Sequence, residues 1–210
     1  MRYLKKIIKS KKIIIFDLDG VIIDSKNNMQ ISWETCCKKN NININFLNYF
    51  KFIGLPFKKI LILLNIKKNF DKIKNDFDNA SIKNISNIKI FPGALNLIKN
   101  LRKNKKKIAL LTSKDLKRSK KIIKKFKLKF DHSECGKKKV KGKPHPHQLF
   151  LILKKFNMKA TDAVYVGDMI FDLKTAKNAK VDFIYASFGY GNLKLNKKML
   201  RINKLKDLSI

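Results

Sequence analysis

Acid is what this chain has least of: 15 Asp and Glu stand against 50 Lys and Arg, a formal net charge of +35 over 210 residues. Arginine contributes little to the excess, occurring only at positions 2, 102, 118 and 201. That scarcity argues against sequence-specific nucleic-acid recognition, which favours the guanidinium fork. Asn and Ile are abundant beside Lys and share its A- and T-rich codons, so nucleotide bias in the source genome accounts for the composition. Cysteine is scarce too. Cys36, Cys37 and Cys135 form no C-x-x-C pair and no regular spacing, which argues against a disulfide framework, and we read them as reduced thiols. His145 and His147 flank Pro146 two residues apart, which does not reproduce a helical i, i+4 zinc pair. No apolar stretch approaches the roughly 20 residues of a membrane span. The basic N-terminus leads into only four apolar residues before Asp17, too few for a signal-peptide core. The expected chain is therefore soluble and cytoplasmic, without a membrane partner. There is no internal repeat and no Gly/Ser linker.

With acids this sparse, their clustering is informative. The segment IIIFDLDGV at positions 13–21 sets Asp17 and Asp19 two residues apart at the end of a β-branched run that reads as a buried strand. Burying carboxylates is costly unless a cation or hydrogen bonds compensate, so D-x-D-G after an apolar strand reads as a metal and phosphate site. Gly20 lets the chain leave the strand sharply and lets backbone N–H groups approach a ligand. A second apolar run, IALLTS at 108–113, ends in the hydroxyls of Thr112 and Ser113; KGKPHP at 141–146 supplies Lys143 before a proline turn. A third run, AVYVGDMIFD at 163–172, ends in Asp168 and Asp172. In an open parallel α/β sheet, ligands bind outside the carboxyl ends of the strands, where these segments would converge.

This order of residues resembles the haloacid dehalogenase superfamily, in particular its phosphoglycolate phosphatase-like members with a helical cap inserted after the first strand. DLDGV matches the first motif with Asp17 and Asp19, Thr112 in LLTSK the second, Lys143 in KPHP the third, and Asp168 and Asp172 in VGDMIFD the fourth. IFPGALNLIKNL, FIGLPFKKIL and ASFGYG also look like that family. The sequence departs where the family usually has a glycine after the helix following the fourth motif, since Ala179 is here followed by Lys180. The resemblance implies a doubly wound, Rossmann-like parallel-sheet core at 1–22 and 88–210 and a small α-helical cap at 23–87. Periodicity agrees. Apolar positions from Ile31 to Leu64 recur at broadly helical spacing, whereas later segments alternate: a helix from Pro92 through Leu101, a strand at 108–112, helices at 116–126 and 148–156, and a strand at 182–186. Residues from about Asn192 read as a polar helix or tail.

The implied chemistry is Mg²⁺-dependent hydrolysis of a small phosphorylated metabolite, a phosphoglycolate-like or sugar phosphate monoester. Asp17 is the expected nucleophile, forming an aspartyl-phosphate. Asp19 would protonate the leaving oxygen and then, as a carboxylate, activate water. Thr112, with N–H groups at Ser113, would bind a phosphoryl oxygen, and Lys143 would supply fixed positive charge. Asp17, Asp168 and the Asp19 backbone carbonyl would hold Mg²⁺, with Asp172 as a ligand or as a group orienting the metal shell or Lys143. Gly54, in FIGLP, looks like a cap turn facing the active site, so its neighbours are candidates for specificity. Asp19 argues against the dehalogenase and phosphonate-cleaving branches, which lack an aspartate there. A sugar-phosphate mutase of the β-phosphoglucomutase kind remains an alternative on the same motifs. From another class, so does a basic polyanion-binding protein.

Overall fold

The computed structural model describes residues 2–138, 140–194 and 199–210. Its centre is β1 (Ile13–Phe16), flanked in parallel by β4 (Lys107–Asp115) on one side and β6 (Ala163–Gly167) on the other. The sheet continues to β5 (His132–Gly136) beyond β4, and to β7 (Asp182–Ala186) and β8 (Leu200–Ile202) beyond β6, giving the six-stranded order β5-β4-β1-β6-β7-β8 with every pairing parallel. The parallel α/β sheet expected from the alternation of strands and helices is thus present.

A parallel sheet covered on both faces needs strands that are apolar on both sides. In β1, Ile14 and Phe16 enter one layer with Ile108, Leu110, Val164 and Val166, while Ile13 and Ile15 enter the opposite layer with Ala109, Leu111, Ala163 and Tyr165. The first layer is closed by α1 (Arg2–Ser10), α6 (Ala94–Lys103) and α7 (Leu116–Lys125), through residues such as Ile8, Leu101 and Ile122. The second is closed by α8 (His147–Lys155) and α9 (Ile170–Asn178), through residues such as Ile152 and Ala176.

Between Asp24 and Lys89 the chain builds a separate helical cluster from α2 (Lys26–Asn40), α3 (Phe46–Phe50), α4 (Phe57–Leu63) and α5 (Phe70–Lys83). Its core is aromatic: Trp33 stacks on Tyr49 with ring centroids 4.5 Å apart, and Phe57 and Phe77 lie at 4.9 Å. The segments entering and leaving the cluster pair as a short antiparallel ribbon, β2 (Ile23–Asp24) with β3 (Lys89–Ile90).

Several expectations need correction. Pro92 does not occupy the first helical turn; α6 begins at Ala94, capped by Gly93 at φ +84. β4 runs on to Asp115 instead of ending at Thr112. The C-terminal stretch is no loose polar tail, because β8 pairs with β7 and Ile202, Leu205 and Leu208 are buried; residues 195–198 lie outside the described residues. All three cysteines are free and buried. No described helix is long and apolar enough to cross a membrane.

The missing glycine after α9 leaves its mark on the backbone. Lys180, exposed, takes φ +55, a left-handed conformation that costs an ordinary L-residue roughly 1–2 kcal/mol. Glycine avoids that strain but raises the entropy of the unfolded chain by an amount equivalent to about 0.5–1 kcal/mol. Lys180→Gly should therefore stabilise the protein by about 0.5–1 kcal/mol. Denaturant unfolding measures it, and a loss of stability would mean that the Lys180 side chain makes contacts worth more than the strain.

Candidate active site

The carboxyl ends of β1, β4 and β6 meet at a single cluster of charges. Asp17 follows β1 directly, and its backbone N–H donates to Val166 O at 2.9 Å. Its carboxylate is nearly inaccessible and accepts a hydrogen bond from Lys143 Nζ at 2.7 Å. The same ammonium lies 2.8 Å from Asp172 Oδ1. Lys143 itself is buried, on the loop before α8, and its peptide bond to Pro144 is cis. Burial works against that ammonium, but Asp17 and Asp172 outweigh it and hold its pKa above the ordinary lysine value.

Asp172 has its oxygens committed. Oδ1 also accepts from Tyr165 O–H at 2.8 Å, and Oδ2 accepts from the backbone N–H groups of Asp168 and Met169 at 3.2 and 3.0 Å. Asp168 differs. Its Oδ2 accepts from the Tyr190 N–H at 2.7 Å, while its buried Oδ1 has no hydrogen-bond partner among the described residues. Burial, reinforced by the charges of Asp172 and Asp17, pushes the Asp168 carboxyl well above its usual range. Carboxylate oxygens of Asp17, Asp168 and Asp172 all fall within 4.8 Å of one another. Three acids this close, with a single lysine and one oxygen left unpartnered, make an all-oxygen donor set suited to a hard divalent cation. Asp168 and Asp17 have the capacity to hold it, and Asp172, already saturated, is placed to orient Lys143 and the loop.

Gly20 explains how the backbone reaches this close. At φ +83, a Cβ on it would collide with the Asp168 carboxylate, as would one on Gly189 from the opposite side. Asp19 stands before this turn, accepts a hydrogen bond from Ser25 Oγ and forms an ion pair with Lys114 Nζ at 3.2 Å. The Tyr190 hydroxyl accepts from Ser25 N–H at 2.6 Å and donates to Asp24 at 2.9 Å, tying the segment before α2 to the loop that binds Asp168.

The β4–β5 register shifts between Leu111 and Asp115. Such an interruption re-aims side chains beside a site, and here it falls on Thr112, Ser113 and Lys114. Thr112 is buried and lines a cavity of about 60 Å³ together with Asp17, Asp19, Gly54, Ser113 and Lys114. The Ser113 hydroxyl donates to the Gly54 carbonyl, so it joins β4 to the helical cluster and only its backbone is left for a ligand. The residues assigned a site role from the sequence thus lie together: Asp17, Asp19, Thr112, Ser113 and Gly54 on the cavity wall, and Gly20, Lys143, Asp168 and Asp172 packed beside it. His145 and His147 are exposed and take no part.

Sequence reasoning missed Lys114 and Arg118, which also line the cavity, and Tyr165 and Tyr190, which hold the acids. Arg118 carried a usable signal as one of the rare arginines. Lys114 closes the LLTSK motif, but the motif reading gave it no role of its own.

Residues 14–186 match the family model "Haloacid dehalogenase-like hydrolase". A phosphoglycolate phosphatase of Pseudomonas syringae pv. tomato is 25% identical over 199 residues, covering 88% of this chain and 72% of that protein. One from Aquifex aeolicus is 26% identical, covering 90% and 89%. A haloacid dehalogenase-like family hydrolase from Streptococcus pneumoniae has the same fold, with a TM-score of 0.82 at 19% identity, covering 95% of this chain and 97% of that one.

Burial, opposed by Lys143 and aided by the charges of Asp172 and Asp19, raises the pKa of Asp17 to about 7 in the metal-free protein. The folded state therefore holds this proton between about pH 4 and 7 while the unfolded chain has released it, so stability falls as pH rises through that window and levels off above it. Asp17→Asn removes this contribution, because the amide does not titrate. The stability of Asp17→Asn relative to wild type should climb by a few kcal/mol from pH 4 to 7 and then stay flat. Chemical denaturation in chelator across that range measures it, and a difference that does not vary with pH would remove the buried charge as the cause.

Proposed function

We propose that this chain, which belongs to the haloacid dehalogenase-like hydrolase family, is a Mg²⁺-dependent phosphatase that cleaves a small phosphate monoester through an aspartyl-phosphate on Asp17. The observation carrying this reading is the buried Asp17–Lys143–Asp172 ion-pair chain beside the unpartnered Asp168 oxygen. The relatives' description as phosphoglycolate phosphatases supports a short phosphorylated acid as substrate. The cavity of about 60 Å³ agrees, being far below the roughly 300–1,000 Å³ of sites for drug-sized ligands.

In this mechanism Asp17 attacks phosphorus with the carboxylate oxygen that is not held by Lys143, and the bond from phosphorus to the ester oxygen breaks. Asp19 gives its proton to the departing alkoxide, then, as a carboxylate, takes one from the water that opens the acyl phosphate. Inorganic phosphate leaves and the Asp17 carboxylate is regenerated. Thr112 Oγ1 donates to a phosphoryl oxygen, and Lys143 offsets the charge that gathers as the two anions meet. A cation held by Asp17, Asp168 and the Asp19 carbonyl would supply the charge neutralisation that lets a phosphate approach a carboxylate. Asp172 keeps Lys143 aimed. The helical segment 23–87 roofs the cavity with Tyr49, Phe57 and Phe77, and we assign it to substrate selection and water exclusion.

Hydrolysis of an aryl phosphate should stop in excess chelator and return with Mg²⁺; undiminished turnover without a metal would sink the cation's place in the mechanism. Asp19→Ala separates the acid role from the rest. It should lose about 10²–10⁴-fold on alkyl phosphates, whose alkoxide must be protonated, and markedly less on aryl phosphates. Equal losses on both would make Asp19 purely electrostatic or structural.

A further inference from the structure

Two cations line the cavity that the mechanism above does not use, Lys114 and Arg118. Both are buried, with side-chain exposures of 4% and 7%, where an ammonium or guanidinium persists only if it is compensated. Arg118 is held rigidly. Its Nε donates to Asp115, its backbone N–H donates to the same carboxylate at 3.0 Å, and its guanidinium carbon lies 5.2 Å from the centre of the Phe77 ring. Nη2 is 3.2 Å from Asp78 Oδ1, yet that oxygen accepts no well-formed hydrogen bond, and Nη1 makes none among the described residues. A fork with five N–H donors is thus oriented by its surroundings, and with Phe57 and Ser113 it lines both this cavity and another of about 400 Å³. Lys114 stands on the same wall, 3.2 Å from Asp19.

The rest of the wall narrows the ligand. Ile53, Leu55, Phe57 and Ile60 are apolar, and the Ser113 hydroxyl is taken by Gly54. A polyol would lose its hydrogen bonds to water here and find few replacements. A short, otherwise apolar leaving group that carries one anionic end would find two cations.

We propose that Arg118 and Lys114 form a second anion subsite, which reads a carboxylate on the leaving group of a short phosphorylated acid. The inference rests on the phosphatase reading and adds to it the residues that select the substrate. A carboxylate suits the planar guanidinium fork, and a second phosphate, bulkier and more highly charged, suits a cavity of about 60 Å³ less well.

The test compares kcat/KM for phosphoglycolate, for ethyl phosphate, which lacks the second anion, and for ethylene glycol bisphosphate, with an aryl phosphate as reference. Wild-type protein should favour phosphoglycolate over ethyl phosphate by about 100-fold or more, since a site with buried polar groups rejects an analogue that leaves them unpaired. Arg118→Lys keeps the charge and loses the fork; Lys114→Met removes the second cation. Each should cut the preference at least about tenfold, chiefly through KM for phosphoglycolate. If Arg118→Lys fails to fold, the wild-type comparison and Lys114→Met decide alone. Equal kcat/KM for phosphoglycolate and ethyl phosphate, with the aryl phosphate still hydrolysed, would overturn the subsite and leave the phosphatase standing. Preference for the bisphosphate would overturn the carboxylate, and hydrolysis of no ester at all would overturn both readings.

Discussion

Lys143 carries a positive charge into the interior, and its pairings at 2.7 Å with Asp17 and 2.8 Å with Asp172 are the constraint on which the other groups at the carboxyl end of the sheet depend. Three carboxylates within 4.8 Å repel strongly in a medium of low dielectric. Lys143 cancels part of that repulsion, while Tyr165 and two backbone N–H groups satisfy Asp172. What is left over falls on Asp17 and Asp168, whose carboxyls are both pushed upward. The arrangement is thus stable enough to form and still short of positive charge, which is the condition for binding a cation. Breaking such a buried pair by removing one partner costs about 3–5 kcal/mol. The loop carrying Lys143 is accordingly pinned from two sides: Gln148 Nε2 donates to Cys135 O of β5 at 2.9 Å, and Asn178 Nδ2 donates to Pro144 O at 3.0 Å.

The helical cluster over this site has a core of its own, yet it borrows from the sheet domain. Met169 and Phe171 on the loop and helix after β6 pack among its aromatics. Polar links run alongside: Ser113 to Gly54, Arg118 to Asp78, and Tyr190 to Asp24. Apolar packing excludes water, and the polar links fix where the cover sits. Together they leave the cations on the wall unscreened, so each interaction with a bound anion is stronger than it would be at an open surface.

The parts of this architecture that were legible in the sequence are those where one physical cause acts alone. β1, β4 and β6 are buried on both faces, so each reads as an unbroken apolar run, and the acids or hydroxyls at their ends stand out by contrast. Where causes compete, the signal fades. β5 reads HSECG because an edge strand is held by backbone pairing to β4 as much as by side-chain burial. α1 buries only Leu4 and Ile8 among lysines. Lys180 occupies a left-handed position that propensity would give to glycine. Lys114 stands in the second motif, yet nothing in the sequence shows that the fold buries it beside Asp19, and Arg118 stood out only by rarity. Tyr190 reaches the site through glycines at 189 and 191 that permit close backbone approach; the ASFGYG segment resembled the family, but its contact with Asp168 emerges only in the fold.

The scarcity of acid acquires a meaning in the folded protein. The carboxylates present are largely spent on contacts: Asp17, Asp19 and Asp172 on lysines of the site, Asp78 and Asp115 on Arg118, and Asp131, Asp162 and Glu134 on pairs elsewhere. Most of the described lysines, by contrast, are exposed. Such a surface raises the local concentration of any anion, phosphorylated or not, and the effect weakens over a Debye length of about 8 Å at physiological salt. Attraction of that kind cannot tell one phosphate ester from another. Discrimination must then come from contact inside the cavity, where the charges number few, are held in fixed geometry by the acids, and are sheltered from the salt that screens the rest of the molecule.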